Sequence, residues 1–458
     1  GAKQMIVRQV PAEDDPRESE YTELTGEGNT LRVGGTPVLY WPKFTGRAQE
    51  TPLREISVGT RDNDGVRLLS EWDLYSLLGW ERPDGSELNL RLDGFTKRGA
   101  AIGVNGRYNN NGRRGEFDFY GLKDSGIDKT SSGLEIDPEE DFRGVALWEH
   151  EMDLDRHWSL QAQLSYISDE TFINAWREDD FEERREYETS LYLKRQEDIS
   201  AQTILGEYEL NDFISNSYLL ASRQYQVDKT PEATLRHYGW KLFDEITYSA
   251  ETRFSRMRLR FEESTPTELG LRGRAFGINN NTPLSDALRA RGLSSQYVSR
   301  ADTRHEFAMP TQIGNVNVTP FAVGRATAYT EDFQQFSSDS DDLRLFGATG
   351  VRLHTQVQHI DNTVENELLD LHRLRHIIEP NATFWYGYSD VDQTDLPVYD
   401  ENVESLADGS AMRVGVRNTW QTKRGGPGRW RSVDVLTINS DLVLSSNEID
   451  RESPNPQF

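Results

Sequence analysis

Eight histidines are the side chains in this sequence best suited to metal binding or proton transfer, because the chain has no cysteine. None of them stands in an HExxH pattern or at a zinc-finger spacing. His372 and His376 are four residues apart, a spacing that would place both on one face of a helix. No carboxylate completes a known ligand motif there. We therefore predict no metal and no cofactor for this chain.

Nucleophilic and phosphate-binding chemistry has no recognisable arrangement either. The roles in a Ser-His-Asp set cannot be assigned from chain order, since unrelated folds carry these residues in different orders. The stretch from Gly112 to Gly115 is interpreted as a turn, because no glycine-rich loop there joins a strand to a helix. The sequence thus predicts no catalytic residue, and we expect a protein that is not an enzyme.

The elements that position these residues are predicted to be β-strands. Apolar and polar residues alternate in segments of about ten residues, divided by Gly, Asn, Asp and Pro clusters. Leu88 to Leu92 and Trp158 to Tyr166 follow this pattern, and so does Val316 to Tyr329, where the phase of the alternation shifts after Pro320. We count roughly 19 such strands after Thr51. Their polar faces carry Arg, Glu, Gln and Ser, which suits a water-filled interior.

Short and long connections alternate between these segments. The stretches Asp153 to Arg156 and Gln196 to Asp198 are predicted to be tight turns. Long polar stretches separate other strands: Lys123 to Asp141, Asp169 to Arg185, Glu263 to Arg300 and Ser389 to Ser410. Short turns on one side and long loops on the other are typical of outer-membrane barrels. A soluble propeller would need a repeat of fixed length, and the sequence has none.

Two segments and the first fifty residues differ from this pattern. Apolar residues at spacings of three and four predict a helix over Val364 to His376, and Leu284 to Arg291 is predicted to be a second, short helix. Residues 1–50 are polar and broken by prolines. We predict that they form the end of a preceding β-domain and its link into a barrel that occupies residues 51–458.

Composition agrees with a barrel and excludes other classes. Hydrophobic residues make up 35% of the chain, the mean hydropathy is −0.72, and no apolar run reaches the roughly 18 residues of a transmembrane helix. The 10 Trp, 18 Tyr and 19 Phe are too many for a disordered tail and suit the aromatic girdles of outer-membrane barrels. With a net charge of −26, the chain lacks the basic face that a nucleic-acid partner requires.

Several motifs resemble the LptD family of outer-membrane proteins, and they occur in the family's order. Gly35 to Pro42 is similar to the junction between the periplasmic jellyroll of that family and its barrel. Leu164 to Glu170 resembles a strand end of the form aromatic-x-Ser-Asp. Leu374 to Pro380, followed by Asp395 to Asp400, is similar to a signature late in the barrel. The resemblance covers most of residues 30 to 405.

The resemblance implies an all-β fold, a large antiparallel transmembrane β-barrel in the outer membrane of a Gram-negative-type bacterium, preceded by the end of a periplasmic β-jellyroll. It implies that the protein receives lipopolysaccharide (LPS) from a periplasmic bridge and inserts it into the outer leaflet through a lateral gate. The implied partners are LPS, membrane lipids, an LptE-like plug lipoprotein and an LptA-like periplasmic bridge that binds the jellyroll.

Prolines at the junction are the gate candidates that the resemblance suggests. A lateral gate needs weakly paired strands, and each proline removes one hydrogen bond from a strand ladder. Pro37, Pro42 and Pro52 are these candidates. Prolines equally suit a rigid linker between two domains, and this second interpretation stays open.

Aromatic residues at the same junction are the substrate-path candidates. Tyr40, Trp41 and Phe44 would contact the acyl chains of LPS where the jellyroll meets the barrel. The same side chains would also serve as interfacial anchors, a common role of Tyr and Trp at membrane surfaces. The residues alone leave both roles open.

Three departures from the family pattern stand out. Nearly all of the jellyroll is missing, so we expect the chain to begin inside a longer protein. The family's disulfide-forming cysteines are absent. Family barrels have about 26 strands, and the prolines at 454 and 456 cannot belong to a closing strand, so we expect further strands beyond residue 458. A porin or substrate-specific channel is the alternative function, and an outer-membrane hydrolase is a third.

Overall fold

The computed structural model of the protein describes residues 4–10, 21–33, 36–47, 52–129, 135–138, 141–169, 171–177, 187–211, 225–243, 245–268, 272–331, 333–336, 342–406, 408–426 and 428–446. Within these ranges the chain is mostly β-strand, with short helices and 3-10 turns between the strands. None of the described helices is long and apolar enough to cross a membrane.

Three strands near the start of the chain form a separate antiparallel sheet. They are β1 (Gln4–Val10), β2 (Tyr21–Val33) and β3 (Thr36–Arg47), in the order β1-β2-β3. The register pairs Val7 with Leu24 and Thr30 with Tyr40. Leu24 and Thr30 are an even number of residues apart on β2, so Val7 and Tyr40 lie on the same face of this sheet.

In the described parts of the chain, nineteen further strands form one antiparallel sheet whose strand order closes on itself as a β-barrel. Their bounds are β4 (Leu53–Arg61), β5 (Gly65–Asp73), β6 (Ser86–Phe95), β7 (Gly99–Asn110), β8 (Arg113–Asp124), β11 (Phe142–Asp153), β12 (Trp158–Ile167), β13 (Ser190–Gln196), β14 (Ser200–Glu207), β15 (Tyr225–Leu242), β16 (Ile246–Phe261), β17 (Val298–Ala308), β18 (Thr311–Ile313), β19 (Val316–Tyr329), β20 (Leu343–Thr355), β21 (Val357–Asn366), β22 (Leu371–Ser389), β23 (Gly409–Arg424) and β24 (Arg431–Ser445). The short strands β9 (Asp128–Lys129) and β10 (Glu135–Ile136) pair with each other. The predicted all-β antiparallel barrel is confirmed.

The helices of the described chain are short and lie in connections between strands. They are α1 (Leu74–Leu78), α2 (Phe172–Trp176), α3 (Leu284–Ala290) and α4 (Glu401–Glu404). The helix predicted over Leu284 to Arg291 is therefore confirmed as α3. Two further connections contain 3-10 turns, Gly273–Ala275 and Gln393–Asp395.

The chain divides into two compact units. The first comprises Gly1–Arg195, Leu205–Asp228 and Arg260–Arg289, and the second comprises Gln196–Ile204, Lys229–Leu259 and Ala290–Phe458. Both units therefore contain strands of the large sheet, together with some of the connections that follow them.

In the first unit the two faces of the large sheet differ in chemistry. The strand registers align Val104 with Phe119, Phe119 with Ala146, and Ala146 with Tyr166, which gives a row of apolar side chains across β7, β8, β11 and β12. Phe119 and Tyr166 are exposed. The opposite face carries charged residues such as Asp118, which accepts a hydrogen bond from Arg91. This alternation has the character of a lipid face and a lumen face.

Long and short connections lie at opposite ends of the strands within each unit. In the first unit the long connections follow β8 and β12, and the turn after β11 is only four residues long. In the second unit the long connections follow β19 and β22, while short connections follow β18, β21 and β23. Because neighbouring strands are antiparallel, each group of connections meets at one end of the sheet. The tight turns predicted at Asp153 to Arg156 and at Gln196 to Asp198 are present.

The pattern of apolar and polar residues changes at Pro320, but the strand itself is not interrupted there. The register of β19 with β20 runs without a break from Val316 paired with Thr355 to Ala328 paired with Leu343. The strand therefore alternates regularly through Pro320, and what changes is the face that carries the apolar residues. Beyond Pro320 the inner face becomes apolar, because a connecting segment packs against it there.

The helix predicted over Val364 to His376 is wrong. Residues up to Asn366 belong to β21, residues from Leu371 belong to β22, and Glu367–Asp370 form the turn between them. The register pairs His359 with His376 and Asp361 with Leu374, so this segment is a hairpin. Backbone pairing with β23 on the other side of β22 overrides the local spacing of the leucines.

Candidate functional site

Buried arginine–carboxylate clusters are the most elaborate side-chain arrangements in the described chain. One lies in each unit, at the end of the strands where the long connections are attached. We name the first the Arg143 cluster, consisting of Arg98, Asp124, Asp128, Arg143, Asp169 and Thr171. We name the second the Glu404 cluster, consisting of Glu232, Arg253, Arg300, Asp302, Arg325, Thr327, Tyr329, Arg344, Asp400 and Glu404.

Arg143 is the centre of the first cluster, and its side chain is fully buried. Its Nη1 donates to Asp124 Oδ2 at 2.7 Å, and its Nη2 donates to Asp128 Oδ2 at 2.7 Å. Asp169 receives two hydrogen bonds, from Nε at 2.8 Å and from Nη2 at 2.7 Å. One guanidinium at the start of β11 therefore holds the connection after β8 and the connection after β12. Bidentate pairing of this kind fixes geometry as well as charge.

Arg98 completes the first cluster from the turn between β6 and β7. Its Nη2 donates to Asp124 Oδ2 at 2.6 Å, and its Nη1 donates to the backbone oxygen of Ile127 at 2.8 Å. A Cβ on Gly126 would lie 2.2 Å from Cδ of Arg98, so only glycine lets the connection approach this closely. The cation also lies 5.0 Å from the ring centre of Trp176 in α2. Arg98 therefore joins both connections from a third position.

An apolar cluster surrounds these charges in the first unit. Phe172 and Ile173 of α2 are fully buried against Leu122, Val145 and Ile167, which project from the inner face of three strands. Burial of large apolar side chains stabilises the position of α2 by roughly 1.5–3 kcal/mol for each side chain. The connection after β12 is thus packed and ion-paired onto the inner face of the sheet.

Glu404 is the centre of the second cluster, and its side chain is fully buried. Its Oε1 accepts hydrogen bonds from Arg300 Nη1 at 2.6 Å and from the Tyr329 hydroxyl at 2.9 Å. Its Oε2 accepts from the backbone N–H of Asp400 at 2.7 Å. Asp400 in turn caps α4 by accepting from the N–H of Asn402 at 3.1 Å. These two hydrogen bonds satisfy backbone N–H groups at the start of α4, which fixes where this four-residue helix begins.

Two further arginines bind the backbone of α4. Arg344 at the start of β20 donates to the carbonyl oxygens of Val403 and Glu404. Arg325 of β19 donates to the carbonyl oxygen of Asn402 at 2.7 Å. Carbonyls at a helix C-terminus have no partner within the helix, so these guanidiniums satisfy them. The helix is therefore held from the inner face of two strands.

Carboxylates in the strands of the second unit balance these arginines. Arg325 makes a bidentate pair with Asp302, with distances of 2.7 and 2.8 Å. Arg253 forms an ion pair with Asp400, and Arg300 lies 3.7 Å from both Asp400 and Glu232. Each of these buried arginines thus lies beside at least one carboxylate, and the attraction between them offsets the free-energy cost of removing both charges from water.

Apolar packing accompanies the ion pairs of the second unit. Leu406 lies two residues after α4 and packs with Phe321, Phe346 and Trp385 on the inner face of β19, β20 and β22. Val403 is fully buried. The connection after β22 therefore folds back onto the sheet as a short lid segment, Asp400–Leu406, and does not extend away from it. The arrangement positions a segment of the chain on the inner face of the sheet.

The acid sensitivity of these anchors follows from their charges. Burial by itself raises the pKa of Asp169. The hydrogen bonds and the positive charge of Arg143 lower it by a larger amount, so the pKa of Asp169 lies below its usual range. Burial likewise raises the pKa of Asp400, and the charges of Arg253 and Arg300 outweigh that effect. Groups with depressed pKa values stabilise the folded state above the ordinary aspartate pKa, about 3.9, and lose this contribution as the pH falls through the depressed values.

We therefore expect the urea concentration at the midpoint of unfolding to stay constant from about pH 7 to about pH 5 and to fall below about pH 4. The measurement is a series of urea titrations of the protein in detergent, followed by tryptophan fluorescence. Asp169→Asn should make the fall at low pH shallower. A midpoint that already drops between pH 7 and pH 5 would contradict the assignment of these carboxylates.

The structure places the predicted junction residues near the first strand of the large sheet but tests no role for them. Pro37 and Pro42 lie on β3 in the separate sheet, and Pro52 directly precedes β4. Pro52 is buried, and its carbonyl oxygen accepts a hydrogen bond from the N–H of Asp73 at 2.6 Å. The gate therefore stays a prediction, with Pro52 the candidate that adjoins the barrel strands.

The predicted substrate-path residues also lie on β3. Tyr40 is 60% exposed on the face that it shares with Val7. Trp41 and Phe44 are strand residues paired with Asn29 and Gly26, and their side chains lie outside the described part of the chain. Their role in contacting LPS stays a prediction.

The cluster residues were not predicted as site residues. Asp169 and Asp400 do stand inside two of the motifs that resemble the LptD family, so the sequence marked their positions without their contacts. The signal for their arginine partners was present in part, because Arg143 and Arg300 each lie within the first three residues of a strand that follows a long polar connection. Among the described residues no group of three or more His, Asp or Glu side chains could hold a metal ion.

Comparison with known proteins identifies a family match that contains the Glu404 cluster and the residues Arg143, Asp169 and Thr171 of the Arg143 cluster. The family model described as "LptD: LPS transport system D" matches residues 141–426, which is more than half of the chain. The search of curated proteins found no match.

Solved outer-membrane structures are similar to the chain only at a coarse level. A bacterial polysaccharide outer membrane secretin is 10% identical with a TM-score of 0.18, covering 85% of this chain and 96% of that one. OmpT of Vibrio cholerae is 7% identical with a TM-score of 0.25, covering 78% and 94%. OccK10 (OpdN) of Pseudomonas aeruginosa is 8% identical with a TM-score of 0.26, covering 84% and 92%. TM-scores this low carry no argument about function.

Proposed function

The chain belongs to the LptD family of LPS transport proteins, and on that premise we propose that it inserts LPS into the outer leaflet through a lateral gate in its barrel. A role in LPS transport and a location in the outer membrane follow from the family and the antiparallel barrel sheet. The observation that carries the proposal is the family match over residues 141–426, which includes strands and connections of both units. No covalent chemistry is part of this function.

Substrate entry is proposed at the small sheet of β1, β2 and β3. The face that holds Tyr40 also holds Met5 and Val7, and all three side chains are exposed. An exposed apolar face on an otherwise polar segment fits contact with acyl chains. LPS would move along this face from an LptA-like periplasmic bridge toward the barrel.

The gate is proposed beside β4, the first strand of the large sheet. Pro52 lacks an N–H group, so it cannot donate a hydrogen bond to a neighbouring strand at the point where the chain enters the barrel. Pro37 and Pro42 impose the same restriction on β3. Weak pairing at this edge would let the strands separate for passage of a lipid. An LptE-like lipoprotein is the proposed plug, since a wide barrel needs an occupant to keep the membrane tight.

The proposal predicts that LPS passes Tyr40. A photo-crosslinking residue at position 40 of the full-length protein, expressed in its own outer membrane, should form an LPS adduct on irradiation. The adduct should disappear when transport is stopped by energy depletion, because LPS then no longer moves along the small sheet. Electrophoresis with detection of LPS and of the protein measures the yield.

Ile6 provides the matched control for this experiment. It lies on the same small sheet, and its register partner Thr25 places it on the face opposite to Tyr40. It is also exposed. We expect little adduct at position 6. A correctly folded protein that gives no LPS adduct at position 40 would favour a porin or a substrate-specific channel.

A further inference from the structure

Two arginines lie on the outer face of β16 in the second unit. Arg253, Ser255 and Met257 are buried on the inner face of this strand. Because successive side chains of a strand point to opposite faces, Arg256 and Arg258 point outward. Arg256 is exposed. Charge on the outer face of a barrel strand requires an explanation, because the middle of this face contacts lipid.

The strand registers place Arg256 at the edge of the lipid-facing surface. An apolar row crosses four neighbouring strands in register and consists of Phe254, Ala301, Ala328 and Leu343. The next outward-facing row is polar. Arg256 is paired with Ser299, and the N–H of Ser299 donates to the Thr330 hydroxyl at 2.9 Å. The two rows are roughly 7 Å apart along the strands. Arg256 therefore lies where the surface changes from apolar to polar, which is the level of lipid headgroups.

The connections of the second unit show which leaflet these headgroups belong to. β16 ends at Phe261, and a long connection follows before β17 begins at Val298. The long connections after β19 and β22 leave from the same end of the sheet, because neighbouring strands are antiparallel. In outer-membrane barrels the long connections are extracellular. Arg256 therefore lies at the headgroup level of the outer leaflet.

Tyr297, the residue before β17, positions the two guanidinium groups. Cζ of Arg256 lies 4.0 Å from the centre of the Tyr297 ring, and Cζ of Arg258 lies 5.0 Å from it. Attraction between a cation and the face of an aromatic ring holds each arginine beside the tyrosine. Two positive charges that contact one ring repel each other. An anion that binds both guanidinium groups would relieve this repulsion.

Within the described residues, Arg256 forms no ion pair. Glu232 of β15 is bound on the inner face, and Glu263 beyond the end of β16 pairs with Arg289 at 2.7 Å. Residues 290–297, which lead into β17, include no Asp or Glu. This is notable in a chain with 77 acidic residues and 51 Lys and Arg, because acidic partners are in excess. The exposed guanidinium of Arg256 is therefore available to an external anion.

We propose that Arg256, Arg258 and Tyr297 form a site on the outer surface of the barrel that binds a phosphate group on the lipid anchor of an LPS molecule in the outer leaflet. The planar guanidinium offers parallel N–H donors that match two phosphate oxygens. Glu331 lies two strands away, after the end of β19, and leaves an excess of positive charge beside Tyr297. The inference rests on the proposed delivery of LPS to the outer leaflet but not on the lateral gate, since the bound molecule is already resident in that leaflet.

Photo-crosslinking from position 299 tests this site in the purified full-length protein. Ser299 is exposed and directly paired with Arg256. The protein is reconstituted into phosphatidylcholine vesicles that contain increasing mole fractions of lipid A with both phosphates. We expect a saturable lipid A adduct. The mole fraction that gives half-maximal adduct should rise at least about tenfold in a second protein that also carries Arg256→Gln, because hydrogen bonds to charged groups contribute strongly.

Further variants separate the charge from the shape of the site. Arg256→Lys keeps the charge but loses the planar fork, so its half-maximal mole fraction should lie between those of arginine and glutamine. Tyr297→Leu should raise the value about threefold, whereas Tyr297→Phe keeps the aromatic ring and should leave it unchanged. Heat-modifiable migration on gels shows that the variants are folded.

Arg413 provides the matched control. It is an exposed arginine of the second unit and lies on the inner face of β23, two residues from the buried Ala411. Arg413→Gln should therefore leave the adduct unchanged. Lipid A without phosphates and phosphatidylglycerol should each give no saturable adduct at position 299.

Four results would overturn the proposal: no lipid A adduct in a folded barrel, a half-maximal value that Arg256→Gln leaves unchanged, an equal loss with Arg413→Gln, or phosphatidylglycerol binding as well as lipid A. The vesicles support no transport, so this readout is independent of the LPS adduct at position 40. Loss of the adduct at position 40 with lipid A binding retained at position 299 would count against the transport path alone.

Discussion

Replacing Glu404 with alanine is expected to lower the free energy of unfolding by about 3–5 kcal/mol, the loss typical when one partner of a buried ion pair is removed. The Arg300 guanidinium would remain buried without its nearest carboxylate, and the Tyr329 hydroxyl would lose its acceptor. The N–H of Asp400 would also lose the side chain that accepts its hydrogen bond. Urea titrations in detergent, followed by tryptophan fluorescence, measure the change.

Glu401 gives the matched control in the same helix. It is exposed at the first position of α4, so Glu401→Ala should change the free energy of unfolding by no more than about 0.5 kcal/mol. Glu404→Gln keeps the shape and one acceptor oxygen, so its cost should lie between the two alanine variants. If Glu404→Ala were as stable as Glu401→Ala, the lid segment Asp400–Leu406 would not be anchored as described.

The second large effect is expected at Arg143. Arg143→Met keeps much of the side-chain volume but leaves Arg98 as the remaining guanidinium partner of Asp124 and Asp128, and it removes the guanidinium that binds Asp169. Unpaired buried carboxylates are costly, and we expect a loss of about 3–5 kcal/mol in the free energy of unfolding. Limited proteolysis should then cut the connections after β8 and β12, which this guanidinium holds to the sheet.

An exposed ion pair of the same unit serves as the reference for this change. Arg114 pairs with Glu151 at 2.6 Å, but its side chain is largely exposed, so Arg114→Met should cost less than about 1 kcal/mol. Adding Asp169→Asn to Arg143→Met should recover part of the loss, because it removes one of the unpaired charges. Strictly additive losses in the double variant would contradict direct coupling between the two side chains.

The alternation of apolar and polar residues was enough to predict where the strands lie. Successive side chains of a strand point to opposite faces of the sheet, whatever surrounds the strand. The segment predicted from Val316 to Tyr329 has the bounds of β19, and the segment predicted from Trp158 to Tyr166 is one residue shorter than β12. The short turns also followed from local signals, since Asp155 accepts hydrogen bonds from the N–H groups of His157 and Trp158 within the turn itself.

Spacing along the chain failed where a neighbouring strand decided the conformation. The leucines between Val364 and His376 have helical spacing, yet β21 and β22 form a hairpin, because pairing with β23 satisfies more backbone groups than an isolated short helix would. The shift of pattern at Pro320 likewise arises from a packed lid segment on the inner face of β19 and not from the strand itself.

By itself the sequence determined the class of fold, the alternation of its strands and the family motifs that contain Asp169 and Asp400. Only the tertiary structure decided that these carboxylates meet Arg143, Arg253 and Arg300 inside the sheet. The physical reason is separation along the chain: Arg300 and Glu404 are 104 residues apart, and no local pattern encodes which buried charge will meet which. Strand order and register bring such pairs together, and they exist only once the sheet has formed.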